Sequence, residues 1–595
     1  MSPPGRPCRL ARIAAAACAV LALAAAGVAQ GAERIRINIV GVDEAIADNV
    51  RGYLTLTRYA ERDDLTDAQV RRLADRAVDE ASDALRPFGY YGPTVRSRTT
   101  RDDTRWIVRL KIEPGKPVIM ESVDVQITGA GADETALAAV APASPLKAGA
   151  RLDHAAYEAL KANLLRAALD LGYLDAKFVR RELLVDPPQF RASASLELDT
   201  GGRYSFGALT IRQDVLNDAL LKRFIRFESG DPFSNQRLRS TQFALEDSNY
   251  FSDVRITQGR RDPATLTVPI TIEADAIRRN RYTASIGYGT DTEVRGRFAW
   301  DDRRVNARGH RWRFEMTGSA VLQEAIARYF IPIGDPALEK LEFSTGYINE
   351  QLGDVDSERY ELTGAVTQTM GKWQRVLFLK LNDERSDFPG GTSTRDLLLI
   401  PGISYASMPP NFLTGWVRES AYYFELSGSP STLGSDASYL RFYARGERVW
   451  SIGGPWYLRL RGELGTSWVD DFSELPASQR FFTGGDRTVR GFALDSLSPP
   501  AEGVQTDANS NNGVGGEHKL VGSIEIERDL PKNLRAAVFY DTGNAFNDWG
   551  TPLEYSVGVG LRWRLPMLLI GVDVAQALSE PDRRPRLHLN ITQVL

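Results

Sequence analysis

The sequence has 595 residues, more than one hydrophobic core usually organises, so it predicts several domains or small domains joined to a large barrel. Charged residues make up 25% of the chain and the formal net charge is -4, so charge gives no argument for binding nucleic acid. Its 51 glycines and its aromatic content of 9% are typical of a β protein with many turns.

The N-terminus has the layout of a secretory signal peptide. Three arginines precede an alanine-rich apolar run, Ile13–Val28, that ends in small residues. This run is short for a membrane span, so we predict a cleaved signal over residues 1–29 rather than a transmembrane anchor. Both cysteines, Cys8 and Cys18, fall inside it, and the mature chain is therefore expected to have no disulfide and no thiolate metal site.

One pattern of strand and helix recurs three times in the first half of the chain. Each copy has an apolar helical stripe that runs from a capping residue to a Gly-Tyr or Asn-Tyr turn: Thr66 to Gly89, Asp153 to Gly172, and Ser234 to Asn249. Strands are predicted after the first two stripes, over Thr104–Ile112, Lys177–Leu184 and Ala192–Leu198. The pattern predicts three β-α-α-β-β domains, over residues 33–115, 116–202 and 203–277.

Each repeat is expected to place two helices on a small sheet whose outer strand is unpaired. An unpaired strand edge can accept an extended chain by strand addition, so the repeats are candidate binding modules for unfolded clients. The alternative is a simple spacer array.

From Tyr282 onward the pattern changes to an alternation of apolar and polar residues. In Tyr555–Leu565 one face carries aromatic and aliphatic residues and the other Ser, Gly and Arg, and Trp456–Leu464 repeats the contrast. A soluble β-sandwich also alternates in this way. Charges clustered on the polar faces and aromatics at strand ends favour a barrel with lipid outside and water inside. We predict about sixteen transmembrane strands, in a barrel domain over residues 281–595.

The longest segment between predicted barrel strands runs from near Val469 to near His518, and it is rich in glycine, arginine and phenylalanine. An extracellular surface loop is one interpretation. The other is a loop folded back into the lumen, where Arg490 would need an anionic partner. Gly491 would then permit the turn, and Phe492 would pack beside the ion pair.

The strand pattern Leu534–Gly543 offers such a partner. Its alternation points Phe539 and Asp541 toward the lumen, so Asp541 is an inward-facing carboxylate. We therefore expect charge-assisted hydrogen bonds between Arg490 and Asp541.

At these residues the chain resembles the outer-membrane assembly and translocation factors that join periplasmic POTRA repeats to a sixteen-stranded barrel. Two motifs carry the resemblance, in the family's order: the external-loop motif Val489, Arg490, Gly491 and Phe492, and the lumen strand motif Phe539, Asp541 and Gly543. With three repeats upstream, the resemblance covers essentially the whole mature chain.

The number of repeats is most similar to that of the TamA group of this family. That resemblance implies a location in the outer membrane with the repeats in the periplasm, and help with inserting or translocating autotransporters and other β-barrel proteins. The implied partners are a TamB-like protein anchored in the inner membrane, unfolded outer-membrane protein clients and outer-membrane lipid.

A lateral gate is expected between the first predicted strand, Tyr282–Thr290, and the last, Leu587–Val594. Glycines in the first strand weaken its order and packing, and the resemblance favours a gate over an ordinary closed seam. The residues assigned to the gate strands are Tyr282, Gly287, Gly289, Leu587, Leu589 and Ile591. Across the seam, Ser285 is expected to face Asn590.

Nothing in the sequence indicates an enzyme. The four histidines are scattered without metal-ligand spacing, and no P-loop or Gly-x-Ser-x-Gly motif is present, so we expect no catalytic site, no cofactor and no metal. A protein-secretion pore of the two-partner type is the alternative function. A diffusion porin would have no use for three periplasmic repeats.

Overall fold

The computed structural model describes residues 35–62, 64–102, 105–407, 420–501, 513–565, 568–580 and 584–593. The predicted signal, residues 1–29, lies outside these ranges. Within them, no helix combines the length and the hydropathy needed to cross a membrane.

Three small sheets with helices precede a closed barrel of sixteen antiparallel strands, so the predicted fold class is confirmed. The first repeat contains β1 (Ile35–Val40), α1 (Glu44–Tyr53), α2 (Thr55–Arg58), α3 (Asp67–Leu85), a 3₁₀ turn (Arg86–Phe88), β2 (Thr94–Asp102) and β3 (Arg105–Glu113). The second contains β4 (Ile119–Thr128), α4 (Thr135–Ala138), α5 (Val140–Ala143), α6 (His154–Asp170), β5 (Lys177–Asp186) and β6 (Arg191–Asp199). The third contains β7 (Ser205–Arg212), α7 (Asp218–Phe224), α8 (Asn235–Glu246), β8 (Phe251–Gln258) and β9 (Thr267–Ala276).

All three sheets share one topology. The last strand of each repeat is central, pairing in parallel with the first strand and antiparallel with the second. The first and second strands of each repeat are therefore the outer strands of its sheet. The sequence pattern missed Thr94–Asp102, because its inward positions are mostly Ser and Thr rather than apolar residues.

Each repeat has its own hydrophobic core, made where the predicted helical stripe faces the sheet. In α3 the stripe buries Val70, Ala77, Ala81 and Leu85. In the other two repeats, α6 and α8 bury their own apolar stripes in the same way. The predicted caps are present: Asp153 accepts the N–H of Ala155 at 2.8 Å, and Thr66 and Gln69 form a capping box.

The turn that ends each of the first two stripes packs against the next repeat. Gly89 and Gly172 have φ values of +82° and +95°, which other residues rarely adopt. A Cβ at Gly89 would lie 2.5 Å from the carbonyl oxygen of Leu152, and one at Gly172 would lie 2.6 Å from that of Phe233. Leu152 and Phe233 each directly precede the capping residue of the next long helix. Successive repeats are thus joined in the same way.

Side chains reinforce both joints. The hydroxyl of Tyr91 lies 2.8 Å from Nε2 of His154 at the first joint. At the second, the hydroxyl of Tyr204 donates to Oδ2 of Asp175 at 2.7 Å, and this bond raises the pKa of Tyr204 above its ordinary value. Arg261 also donates to Oδ1 of Asp175 at 3.1 Å.

We expect Gly172→Ala to loosen the second joint more than Gly230→Ala. Both glycines have left-handed φ values, +95° and +94°, so both substitutions share a backbone cost of about 1–2 kcal/mol. A Cβ at Gly230 has nothing within 4 Å, whereas one at Gly172 meets backbone at 2.6 Å. Limited trypsin digestion of the full-length protein in membranes should therefore cut between the second and third repeats faster in Gly172→Ala. Equal cleavage rates in the two variants would contradict a close-packed joint.

The barrel strands follow the third repeat in simple up-and-down order. They are β10 (Asn280–Gly289), β11 (Glu293–Asp302), β12 (Arg311–Gly318), β13 (Leu322–Pro332), β14 (Glu339–Leu352), β15 (Val355–Met370), β16 (Trp373–Asp387), β17 (Ser393–Ser407), β18 (Ser420–Ser429), β19 (Tyr439–Gly453), β20 (Trp456–Val469), β21 (His518–Leu530), β22 (Leu534–Phe546), β23 (Glu554–Arg564), β24 (Leu568–Ala577) and β25 (Arg586–Gln593). Short 3₁₀ turns lie at Ser431–Leu433, Phe472–Glu474 and Ala477–Gln479. The predicted alternation holds: Tyr540 is exposed on the outer face of β22, whereas its neighbours Phe539 and Asp541 are buried inside.

The ends of the first and last barrel strands differ from the prediction. β10 begins at Asn280 rather than Tyr282, since Asn280 and Arg281 pair with the polar end of β11. It ends at Gly289, and Thr290 opens the extracellular turn. β25 begins at Arg586 rather than Leu587, and the predicted end, Val594, lies outside the described residues.

The third repeat contacts the periplasmic turns of the barrel. The N–H of Asn217 donates to the carbonyl oxygen of Ala307 at 2.9 Å, and the hydroxyl of Tyr250 donates to that of Gly309. Tyr250 belongs to the Asn-Tyr turn of the third stripe, so all three predicted turns contact the unit that follows them.

Candidate functional site

The segment between β20 and β21 is described over residues 470–501 and 513–517, which fold into the barrel, and we call these residues the lumen loop. Val489 and Phe492 are fully buried, and they form a small apolar cluster with Leu497, with Val521 of β21 and with Ala577 of β24. The motif predicted on this loop therefore lies against the inner wall and not on the extracellular surface.

Arg490 makes a bidentate ion pair with Asp541 of β22. Its Nε donates to Oδ2 at 2.7 Å and its Nη2 to Oδ1 at 2.9 Å, and its backbone N–H adds a bond to Oδ2 at 3.2 Å. Arg490 is 3% exposed and Asp541 fully buried. A two-pronged guanidinium–carboxylate pair is both strong and geometrically demanding, so it fixes the loop in one position.

Two further carboxylates surround the same guanidinium. Nη1 of Arg490 donates to Glu525 of β21 at 3.0 Å and approaches Asp573 of β24 at 3.4 Å. Arg562 of β23 offsets the excess negative charge by pairing with Asp573 at 2.7 Å and with Glu525 at 3.2 Å. We call Arg490, Asp541, Glu525 and Asp573 the arginine anchor.

The other motif residues shape this anchor. The guanidinium carbon of Arg490 lies 3.3 Å from the ring centroid of Phe539, so the ring covers one face of the cation. Gly491 has a φ of +93°, as the predicted turn requires. A Cβ at Gly543 would lie 2.7 Å from the carbonyl oxygen of Leu520, so the strand motif needs glycine there for close strand contact.

The lumen loop is also attached to the opposite wall, and the sequence pattern did not predict this attachment. Glu384 of β16 is fully buried and accepts the N–H of Ser478 at 2.9 Å, together with the hydroxyl of Ser478. Ser357 and Asn382 also donate to Glu384, at 2.8 and 3.0 Å. We call Glu384 and Ser478 the serine anchor.

Arg480 strengthens the attachment to this wall. Its Nε donates to the carbonyl oxygen of Leu475 at 2.6 Å within the loop. The guanidinium lies 4.5 Å from the ring centroids of both Phe388, which follows β16, and Phe472. A cation between two aromatic rings is favourable, so Arg480 orders the base of the lumen loop beside the serine anchor.

The seam between β10 and β25 closes the barrel with a short ladder. Along the described residues it consists of two pairs, Tyr288 with Ile591 and Gly289 with Asn590. The N–H of Thr290 adds a bond to the carbonyl oxygen of Leu589 at 3.0 Å. On its other side, β10 pairs with β11 along its whole length, from Asn280 to Gly289.

This register corrects part of the predicted gate. Asn590 faces Gly289 and not Ser285, because β25 pairs with the extracellular end of β10. Tyr282 lies at the periplasmic end, where it pairs with Trp300 on the non-seam side. Gly287 stays close to the seam, since a Cβ there would lie 2.9 Å from the carbonyl oxygen of Ile591.

The remaining residues assigned to the gate lie on β25. Leu589 accepts the bond from Thr290 just above the ladder, and Leu587 lies farther toward the extracellular rim, where it pairs with Val574 of β24. The role of the gate strands stays a prediction.

Among the described residues, no group of three or more His, Cys, Asp or Glu side chains is arranged to hold a metal ion. The carboxylates of the arginine anchor are instead paired with Arg490 and Arg562.

Comparison with known families gives three matches. The Omp85 superfamily domain matches residues 419–593, in the second half of the barrel. POTRA domain TamA domain 1 matches residues 36–114, and the surface antigen variable number repeat, a POTRA family, matches residues 204–275. The matched segments follow the order of the first repeat, the third repeat and the barrel.

Two curated relatives are outer membrane protein assembly factors named BamA. That of Nitratidesulfovibrio vulgaris is 21% identical over 374 residues, which cover 59% of this chain and 45% of the relative. That of Neorickettsia risticii is 23% identical over 392 residues, which cover 61% and 51%. The chain thus spans about half the length of the curated relatives it matches.

A solved structure shares the fold. BamA from Haemophilus ducreyi lacking POTRA domains 1–3 has a TM-score of 0.63 and 15% sequence identity, covering 80% of this chain and 99% of that one. With the matched families, the three α/β repeats and the sixteen-stranded barrel identify the chain as a POTRA-barrel member of the Omp85 superfamily, located in the outer membrane with its repeats in the periplasm.

Proposed function

We propose that the protein is an outer-membrane assembly factor that helps autotransporters and other β-barrel proteins to insert or translocate. The POTRA repeats, proposed to span residues 33–115, 116–202 and 203–277, receive unfolded clients in the periplasm. The barrel, proposed to span residues 281–595, then acts on the client through a lateral gate at the seam. No catalytic step is proposed, because the folding of the client itself releases free energy.

The observation that carries this proposal is the short ladder between β10 and β25. A strand edge inside lipid is costly because its backbone groups have no water to bond, so a barrel normally pairs its strands fully. The two pairs present along the described residues are a weak closure beside the full-length pairing of β10 with β11. An opened seam would offer its edge to a client strand, and new backbone bonds would replace the lost ones.

The match of the first repeat to the TamA type of POTRA domain supports the TamA-like form of this function. We accordingly propose a TamB-like protein anchored in the inner membrane as the partner. Residues 36–114 carry that match, so the first repeat is where the partner is proposed to bind.

A secretion pore of the two-partner type would pass its client through the lumen. The lumen loop stands in that path and is attached to β16 on one side and to β22 on the other. Passage through the lumen would require the loop to be displaced from that path, whereas a seam gate can open beside a loop that is still held at Glu384. This attachment at both walls favours the gate.

Deleting residues 33–198, the first two repeats, is expected to abolish client assembly and to leave the barrel inserted. The repeats and the barrel bury separate hydrophobic cores, so the barrel does not depend on the deleted residues for its packing. Surface display of an autotransporter client reports assembly, and heat-modifiable gel mobility reports the folded barrel.

A second variant tests whether the repeats bind clients or only act as spacers. Replacing residues 33–198 by an unrelated folded domain of similar length should fail as the deletion does. If that replacement restored display to the normal rate, the repeats would be spacers and their proposed role as client receivers would be lost.

A further inference from the structure

Segment 486–491 of the lumen loop contacts the turn that follows β10, the first strand of the seam. Asp291 lies in the extracellular turn that follows β10, and its side chain is 2% exposed. Its Oδ2 accepts the backbone N–H of Asp486 at 2.8 Å. The turn between β10 and β11 is therefore bonded directly to the loop.

The same segment contacts the last strand. Nε2 of His588, on β25, accepts the backbone N–H of Gly491 at 3.0 Å, and the His588 side chain is 3% exposed. Nδ2 of Asn590, also on β25, donates to Oδ2 of Asp486 at 3.3 Å. One short stretch of loop thus bridges the turn that follows β10 and the last strand, β25.

The turn that follows β10 also lies close to β25 itself. Asp291 lies 3.7 Å from Nδ1 of His588 and 3.6 Å from the guanidinium of Arg586. These contacts are ion-pair distances and not hydrogen bonds, and both Nδ1 of His588 and Oδ1 of Asp291 are buried without a hydrogen-bond partner among the described residues. Withdrawal of the loop would leave these buried groups without their backbone partners, which is costly in a site with little water.

We propose that the lumen loop holds the extracellular end of the seam closed, through a seam clasp made of Asp291, Asp486, Gly491, His588 and Asn590. The seam opens when segment 486–491 withdraws from Asp291 and His588. This inference rests on the proposed gate and names how that gate is controlled. Gly491 directly follows Arg490, so the clasp and the arginine anchor move together.

The balance of bonds explains why the clasp matters. Along the described residues the seam is held by two residue pairs and by two hydrogen bonds between Thr290 and Leu589, and the loop adds three hydrogen bonds to the same short region, from Asp486, Gly491 and Asn590. A buried hydrogen bond from the loop and one between the two strands each contribute a similar free energy to seam closure. Losing the loop bonds therefore shifts the equilibrium toward an open seam.

The test places nitroxide labels at Tyr288→Cys and Ile591→Cys, an outward-facing pair of the ladder that the clasp does not include. Cys8 and Cys18 are replaced by serine throughout. In the full-length protein in lipid nanodiscs, a closed seam gives strong dipolar broadening of the electron paramagnetic resonance spectrum. We expect Asp291→Ala with His588→Ala to raise the ratio of open to closed seam about tenfold, as two lost buried hydrogen bonds imply.

Asp548→Ala is the matched control. Asp548 also lies in an extracellular turn and accepts a backbone N–H, that of Gly550 at 2.9 Å, within its own turn rather than from the lumen loop. Unchanged broadening in the double variant would overturn the clasp, and so would an equal change in Asp548→Ala. If the double variant does not fold, His588→Phe keeps a ring in place but removes the acceptor for Gly491, and the same two outcomes decide.

Client display, measured on the same variants, separates the clasp from the proposed function. If the seam opens in the double variant without any change in client display, the clasp is supported and the gate has no role in assembly. A seam that stays closed in the double variant removes the clasp, whatever display shows.

Discussion

Arg490→Ala is expected to abolish most client assembly while leaving a folded barrel in the membrane. The substitution leaves Asp541 and Glu525 buried without the guanidinium that both contact, and breaking a buried ion pair in this way costs about 3–5 kcal/mol. That cost destabilises the folded-in position of the lumen loop and not the barrel, because the strands keep their backbone hydrogen bonds. Client display measures the loss, and heat-modifiable mobility checks the barrel.

Two variants sharpen this test. Arg490→Lys should rescue poorly, because an ammonium group lacks the planar fork that meets both oxygens of Asp541. Arg487→Ala is the matched control, an exposed arginine on the same loop outside the anchor. Normal display in Arg490→Ala, or an equal loss in Arg487→Ala, would remove the arginine anchor from the proposed mechanism.

A disulfide across the seam is expected to stop assembly reversibly. Tyr288 and Ile591 face each other in the ladder, and directly opposed residues of antiparallel strands lie within the range that a disulfide spans. Oxidation of Tyr288→Cys with Ile591→Cys should lock the gate, and a reductant should restore display.

The control lock joins β10 to its other neighbour. Ala284→Cys with Phe298→Cys links β10 to β11, two strands that are not expected to separate. Oxidising this pair should leave display unchanged. Full display with the seam pair quantitatively oxidised would contradict a lateral gate.

The contact between Arg490 and Asp541 was predictable because two independent features of the sequence pointed to the same pair. Alternation on β22 placed Asp541 inside, and an arginine leaving water needs an anion. Glu525 and Asp573 carry the same signal, because each is a carboxylate on the inward face of its strand. Glu525 pairs with the inward-facing Phe539, and Asp573 pairs with Gly560 of β23. Following the alternation along β21 and β24 would have found them.

The serine anchor and the clasp had no comparable signal. Glu384 is an inward carboxylate like several others, and its contact with Ser478 depends on the path of a long loop, which no periodicity describes. The register of the seam was wrong in the prediction for a related reason. Alternation fixes which face a residue occupies but not how far one strand slides along another, so Ser285 and Gly289 were equally suitable partners for Asn590.

Attachment of the lumen loop at both walls also bears on what crosses the membrane by simple diffusion. A sixteen-stranded barrel is wide enough to leave an aqueous channel. Here a loop runs from Glu384 on one side to Asp541 on the other, so the free cross-section is smaller than the barrel itself. We therefore expect low ionic conductance through the closed protein, so that the outer membrane would keep its permeability barrier while it contains this barrel.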